Sequence, residues 1–266
     1  MKTSEVWSLR IIKHLIFFIV FTAFYYILQA QSINITVNGV YTDTAFLSSL
    51  MGEKIFTVDT IISTNNNKFQ FELSANTPGF YRLSFNNNNQ SLQSRAQTGW
   101  IDFIYDNEDI ELETVANNIP ASPAGRLDSL KVIKSESNKI YYEFVRLNKD
   151  YKTKTELLQL ILARYPKEDD YYQTTIEKLT QIQEEYLYFV NVTSRTNPNS
   201  FIARYVRSAQ LPVVNSEIPF DEQLTYLKTY FLDNVNFYDN GLIYSDAFTN
   251  KTIEYLTYYR NPQLPL

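Results

Sequence analysis

The spacing of apolar residues changes once along this chain, and that change constrains its fold more than any single motif does. From Ile33 to about Thr114, apolar and polar residues alternate, or form short β-branched and aromatic blocks, in the segments INITVNGV, IFTVDTII, KFQFEL, FYRLSF and WIDFIY. This pattern is typical of β-strands. Residues that favour turns separate the segments, as in Asn65-Asn66-Asn67, Pro78-Gly79 and Asp106-Asn107. The first half therefore predicts an antiparallel sheet, folded as a small β-sandwich or an open barrel.

After Pro120 the apolar spacing becomes that of helices. A first helix is predicted over 138–147, where Ile140, Tyr141, Phe144 and Leu147 share one face. The other predicted helices span 169–192, 200–209, 221–232 and 248–259. Asn197-Pro198 should end the longest of them, because proline disfavours helix in the residue before it. The predicted class is α+β, with an antiparallel β-domain over 31–120 and an α-helical bundle over 121–266.

The junction between the two halves, Gly125 to Asp150, is too apolar for a free linker. Leu127, Leu130, Val132 and Ile133 supply that apolar character. We expect this stretch to pack against the sheet and to join the two halves into one unit.

The first thirty residues have the pattern of an export signal. A basic segment with Lys2, Arg10 and Lys13 precedes the apolar core LIFFIVFTAFYYIL, and Ala30 offers a small residue for cleavage. Residues 1–30 are therefore predicted to be a signal peptide, cut after Ala30, and the chain is predicted to reach the periplasm or outer envelope of a Gram-negative bacterium. An uncleaved signal anchor is the alternative, and a membrane is an expected partner in that case alone.

Composition excludes several classes of function. The chain has no cysteine, and its one histidine, His14, lies in the predicted signal peptide. Thiol nucleophiles, CxxC redox centres, thiolate or imidazole zinc sites and Ser/His/Asp triads are therefore excluded for the remaining chain. A net charge of −5 without a basic run after Lys13 argues against nucleic acid. The 21 tyrosines are expected mainly at the margin of the core.

Few residues remain as candidates for chemistry. Asp106, Glu108, Asp109 and Glu111 form an acidic cluster with the ligand type that Ca²⁺ takes, but the spacing matches no calcium loop, so a solvated hairpin turn is the favoured interpretation.

A Ser/Lys nucleophile pair is conceivable at Ser135 or Ser137 with Lys139, although a serine helix cap beside an exposed lysine is the more ordinary interpretation. Glu168-Asp169-Asp170 should cap the long helix, and Glu184 and Glu185 should be surface charges. No catalytic, cofactor or metal residue is assigned.

A resemblance follows from four segments taken together: KFQFEL, then Pro78-Gly79-Phe80-Tyr81-Arg82-Leu83, then FIYDNEDIEL, then SESNKIYYEF. Their order and spacing resemble the N-terminal β-domain and following helical region of exported bacterial thioredoxin-like thiol:disulfide oxidoreductases. In that family a thioredoxin domain with a CxxC motif usually follows, and its two cysteines have no counterpart here. The resemblance implies an architecture and carries no active-site residue over.

The sequence thus favours a non-enzymatic exported protein that acts as an interaction or ligand-binding module, without cofactor, and with a protein or peptide partner in the envelope. An exposed sheet edge could accept that partner as an added strand. The first alternative is the non-catalytic N-terminal part of a truncated periplasmic thiol:disulfide oxidoreductase. The second is a carboxylate-dependent glycan hydrolase, which needs two carboxylates that converge in a cleft.

Overall fold

The computed structural model describes residues 31–40, 42–64, 67–73, 77–85, 99–116, 130–215 and 218–259. The predicted signal peptide, Leu127 and the polar segment 86–98 lie outside these residues. The described strands are β1 (Ser32–Asn38), β2 (Thr44–Met51), β3 (Lys54–Ile62), β4 (Lys68–Glu72), β5 (Gly79–Ser84), β6 (Trp100–Tyr105), β7 (Ile110–Val115) and β8 (Lys131–Lys134). The described helices are α1 (Glu136–Arg164), α2 (Asp170–Thr196), α3 (Phe201–Ala209), α4 (Phe220–Tyr230) and α5 (Ala247–Thr257), with a 3-10 helix at Asn240–Tyr244.

The strands form two four-stranded sheets that pack face to face. We call the sheet with strand order β4-β1-β7-β8 the outer sheet, and the sheet with order β3-β2-β5-β6 the central sheet. All neighbours are antiparallel except β1 and β7, which are parallel. Side chains from both sheets form one buried core, where Phe71 of the outer sheet meets Phe103 of the central sheet at 6.2 Å between ring centres. The predicted α+β class is confirmed, with a sandwich and no closed barrel.

The outer sheet covers one face of the central sheet and the helices cover the other, except at the edge strand β3, which is largely exposed. Tyr81 and Leu83 of β5 point into the sandwich core, whereas Phe80 lies in a second core shared with the helices. Its ring centre is 5.0 Å from that of Tyr141 on α1 and 4.8 Å from that of Tyr205 on α3. The order of layers is therefore outer sheet, central sheet, helices.

Three of the described α-helices, α1 to α3, begin at a short polar side chain that caps them. Ser135 caps α1 and accepts a hydrogen bond from the backbone N–H of Asn138, as the sequence predicted. Asp169 caps α2 in the same way, through the N–H of Tyr171. α2 ends at Thr196, just before Asn197-Pro198. The prediction for the first helix was too short, since α1 continues from 147 to Arg164 by packing against α2, where Tyr151 stacks on Tyr186 at 4.1 Å.

Two predictions about the strands were incomplete or wrong. β2 was not predicted at all, because the consecutive polar residues Ser48 and Ser49 interrupt its apolar alternation, although Ser48 is buried in the fold. The hairpin predicted at Asp106-Asn107 is wrong, since β6 lies in the central sheet and β7 in the outer sheet. The turn between them instead carries the chain from one layer to the other.

The junction packs as expected at two of its apolar residues. β8 pairs with β7 at the edge of the outer sheet, and Leu130 and Val132 pack against both cores. Ile133 does not pack and is 51% exposed, so the expectation is wrong for that residue.

Several tyrosines are buried with hydrogen-bonded hydroxyls, as expected of tyrosine at the core margin, whereas others, such as Tyr188 and Tyr238, are exposed. The Tyr142 hydroxyl donates to the carbonyl of Asp102, and the Tyr151 hydroxyl donates to the carbonyl of Pro212 at 3.2 Å. The Tyr186 hydroxyl donates to Asn148 at 2.7 Å and accepts from the N–H of Leu211 at 2.7 Å.

Candidate functional site

β3 is an edge strand of the central sheet that exposes a long apolar surface. Its seven residues from Lys54 to Thr60 are all exposed, and only Ile61 is buried. The exposed fraction is 50% for Ile55, 47% for Phe56, 42% for Val58 and 67% for Ile62. Since β2 is its one neighbour in the sheet, roughly half of the backbone N–H and C=O groups of β3 point away from the sheet. This combination of free backbone groups and exposed apolar side chains is what an added strand requires.

A groove of about 430 Å³ lies beside β3, where the chain passes into β4 of the outer sheet. The two strands diverge from a short connection into different sheets, so the side of the sandwich opens between them. Buried core residues form the floor: Leu47, Ile61, Phe71 and Leu73. Exposed residues form the rim: Val58, Asp59, Thr60, Ile62, Gln70 and Glu72.

The opposite edge of the central sheet, β6, is blocked by α1. The side-chain amide of Asn138 accepts from the N–H of Ile104 at 2.8 Å and donates to the C=O of Ile104 at 2.8 Å. The Tyr142 hydroxyl donates to the C=O of Asp102, the next outward carbonyl along the strand. α1 therefore takes the place of a neighbouring strand, and no partner can pair with β6 there.

The two edges of the outer sheet are protected in other ways. On β4 the apolar residues Phe69 and Phe71 are buried, while Gln70 and Glu72 are exposed. β8 is only four residues long and carries Lys131 and Lys134. Short strands and lysines are common devices against edge pairing. Among the described edge strands, β3 is thus the one that is neither covered nor short, and four of its exposed residues are apolar against two charged ones, Lys54 and Asp59.

The acidic cluster does not behave as the predicted solvated turn at Asp106 and Glu108. The Glu108 carboxylate accepts from the Ser135 hydroxyl at 2.6 Å and from the N–H groups of Glu136 and Ser137 at 3.0 and 2.8 Å, at the start of α1. Asp106 accepts from the N–H of Ile202 at 3.3 Å, at the start of α3. Carboxylates are favourable at helix N-termini, so this turn fastens two helices to the sandwich.

The electrostatics of the cluster follow from these contacts. Burial raises the pKa of the Asp106 carboxyl, an effect that hydrogen bonds from Phe201, Ile202 and Ser137 oppose. Asp109 lies at the surface, where the ammonium of Lys134 donates to it at 2.7 Å and holds its pKa below the ordinary value. Within the described residues, no group of three or more histidine, cysteine or acidic side chains could hold a metal ion.

The structure does not assemble the conceivable Ser/Lys pair. Ser135 is occupied as the α1 cap, and Lys139 is exposed, with its ammonium 3.8 Å from Glu136. Glu184 and Glu185 are surface residues on α2, as expected.

Two buried or half-buried carboxylates lie between the central sheet and the helices, and each has structural partners. Asp102 accepts from Arg82 Nε and Nη2 at 2.6 and 2.8 Å, and from Trp100 Nε1 at 3.1 Å. Asp246 accepts from the Tyr205 hydroxyl at 3.1 Å, and burial raises its pKa. Asp102 therefore links β6 to Arg82 on β5, and Asp246 links the start of α5 to Tyr205 on α3.

Lys251 is a buried cation that sequence reasoning missed. It is 3% exposed, its ammonium donates to the C=O of Gln210 at 2.5 Å, and it lies 4.0 Å from the ring centre of Phe231. Burial lowers its pKa to about 8. A cation at a helix C-terminus is favourable, so Lys251 fastens α5 to the end of α3. Its sequence context, Asn250-Lys251-Thr252, gives no signal for burial.

None of the helices within the described ranges has the length and apolar content needed to cross a membrane. Comparisons with curated proteins and with solved structures found no match. Residues 31–141 match the family model described as a domain of unknown function (DUF4369). The matched range covers β1 to β8 and the start of α1, so the similarity lies in the sandwich and includes β3, the groove and the acidic turn.

Proposed function

We propose that this chain is a non-enzymatic interaction protein that binds an extended segment of a partner protein by adding it to β3 as a further strand. The observation that carries the proposal is the contrast among sheet edges. Those at β4, β6 and β8 are covered or charged, whereas β3 exposes apolar side chains along nearly its whole length.

The expected gain in free energy comes from two sources. A paired segment forms backbone hydrogen bonds with the outward groups of β3, each with a net value of about 1 kcal/mol. It also covers Ile55, Phe56, Val58 and Ile62, at about 25 cal/mol for each Å² of apolar surface removed from water. Neither source requires a catalytic residue.

We further propose that the chain works outside the cytoplasm, in the periplasm or the outer envelope, after export by the predicted signal at 1–30. The basic start, apolar core and small residue at Ala30 support this assignment. Microscopy or cell fractionation of the tagged chain, with and without residues 1–30, tests it.

A second proposal is that the chain is the non-catalytic front part of an exported thiol:disulfide oxidoreductase. It is supported by the resemblance that the four segments quoted above carry over most of residues 31–260, whereas the match over 31–141 is to a domain of unknown function and names no activity. In that setting the β3 edge would dock substrates or partners. Sequencing downstream of codon 266 tests the proposal: a thioredoxin domain with a CxxC motif supports it, and an intact stop with unrelated sequence contradicts it.

The edge itself is tested with peptides selected against the purified chain from a random display library. Ile55→Lys should weaken binding of the selected peptides by about tenfold or more, because a lysine on an open edge opposes pairing. Ile133→Lys on β8 is the matched control, since Ile133 is 51% exposed and Ile55 is 50% exposed. Peptides that bind the Ile55→Lys variant as tightly as the unaltered chain would contradict the proposal.

A further inference from the structure

The charges around the groove indicate which segments the β3 edge should select. We propose that its partner is an extended protein segment in which lysine or arginine alternates with apolar residues. This inference rests on the proposed function and assigns the chemistry of the partner.

Asp59 and Glu72 are the charged residues on the rim of the groove. Both are exposed, and neither forms an ion pair with another described residue. The carboxylate of Asp59 accepts from the N–H of Thr60 at 2.7 Å, and within the described ranges no lysine or arginine pairs with it. A strand added to β3 would therefore pass two unpaired negative charges.

The pairing of β3 with β2 sets the face that each β3 side chain occupies, because directly opposed residues share a face of the sheet. Asp59 is opposite Leu47, which faces the sandwich core. Phe56, opposite Ser49, lies on that same face, whereas Ile55 is opposite Leu50, which faces the helices. Since side chains alternate along a strand, the partner residues that face the carboxylate also pass Phe56, and the residues between them meet Ile55.

Charge also disfavours a second copy of this chain as the occupant. The chain carries a net charge of −5, and a second β3 would bring its own Asp59 towards the same acidic rim, with Lys54 as the one positive charge on that strand to offset it. A basic segment instead brings positive charges towards Asp59 and Glu72, so charge complementarity favours a different protein as the partner.

Three synthetic peptides of strand length test the preference. Each alternates valine or threonine with one varied residue, which is lysine, glutamine or glutamate. Fluorescence anisotropy should show the lysine peptide binding about tenfold more tightly than the glutamate peptide, with glutamine between them. The double variant Asp59→Asn, Glu72→Gln should remove most of this difference, and added salt should reduce it. The matched control, Glu184→Gln with Glu185→Gln on α2, should leave it unchanged.

The remaining outcomes separate this inference from the proposed function. If all three peptides bind with equal affinity, and Ile55→Lys still abolishes binding of the neutral glutamine peptide, the charge preference is overturned. Strand addition to β3 is then still supported. If none of the peptides binds, or if Ile55→Lys changes nothing, the proposed function itself fails. Sedimentation that shows a dimer abolished by Ile55→Lys would make a second copy the occupant and would overturn the basic partner.

Discussion

Replacing Asn138 by leucine should destabilise the fold strongly, because this side chain, together with Tyr142, closes the β6 edge. Asn138 is 0% exposed and satisfies both the N–H and the C=O of the equally buried Ile104. Leucine has a similar shape but can make neither hydrogen bond. A buried backbone group left without a partner costs about 1 to 3 kcal/mol, so the two together should lower the free energy of unfolding by about 2 to 6 kcal/mol.

Urea unfolding followed by tyrosine and tryptophan fluorescence measures this loss. The midpoint should fall while the slope with urea stays unchanged, because the surface exposed on unfolding is the same. Asn191→Leu is the control, since Asn191 is exposed on α2, and its effect should stay within about 0.5 kcal/mol. If Asn138→Leu costs no more than the control does, α1 does not close the β6 edge through this amide.

Three further predictions concern the links between layers. Glu108→Gln should lower the free energy of unfolding by about 1 to 2 kcal/mol in urea, because Glu108 accepts three hydrogen bonds at the start of α1, whereas exposed Glu184→Gln should not. Burial lowers the pKa of Lys251 to about 8 from 10.5. Between these two pH values the unfolded chain holds a proton on Lys251 that the folded chain has lost. Stability should therefore rise by up to about 2 kcal/mol between about pH 8 and about pH 9.5, and Lys251→Met should flatten that rise. Gly79→Ala should lower the melting temperature, because a Cβ there would lie 2.7 Å from the Cβ of Tyr244; an unchanged melting temperature would contradict this close approach.

The period of apolar residues was enough to predict most elements. All five strand segments form strands, and the helix at 169–192 appears as Asp170–Thr196 with the predicted cap and end. These signals are local, since they depend on which face of one element is buried. Where polar residues interrupt the pattern, as Ser48 and Ser49 do in β2, the prediction failed.

The assignment of strands to sheets could not be predicted, because it depends on contacts between distant segments. β6 and β7 are separated by a four-residue turn typical of a hairpin, yet Asp106 and Glu108 in that turn bond to α3 and α1 and direct the chain into the other sheet. The sequence gives no signal for those partners.

The sequence predicted the type of candidate site, an exposed sheet edge, but not the strand that forms it. An exposed sheet edge could be expected from any open sandwich, but the segment IFTVDTII has the composition of a buried strand. Its exposure as β3 results from its place at the end of the sheet, opposite an edge that Asn138 closes.

Hydrogen exchange of the β3 amides tests strand addition most directly. A selected peptide in saturating amount should slow exchange along Lys54–Ile62 and leave the β8 amides unchanged, because backbone pairing protects the outward N–H groups of β3. If the peptide is bound and the β3 amides still exchange at the rate of the free chain, β3 is not the site and the proposed function is wrong.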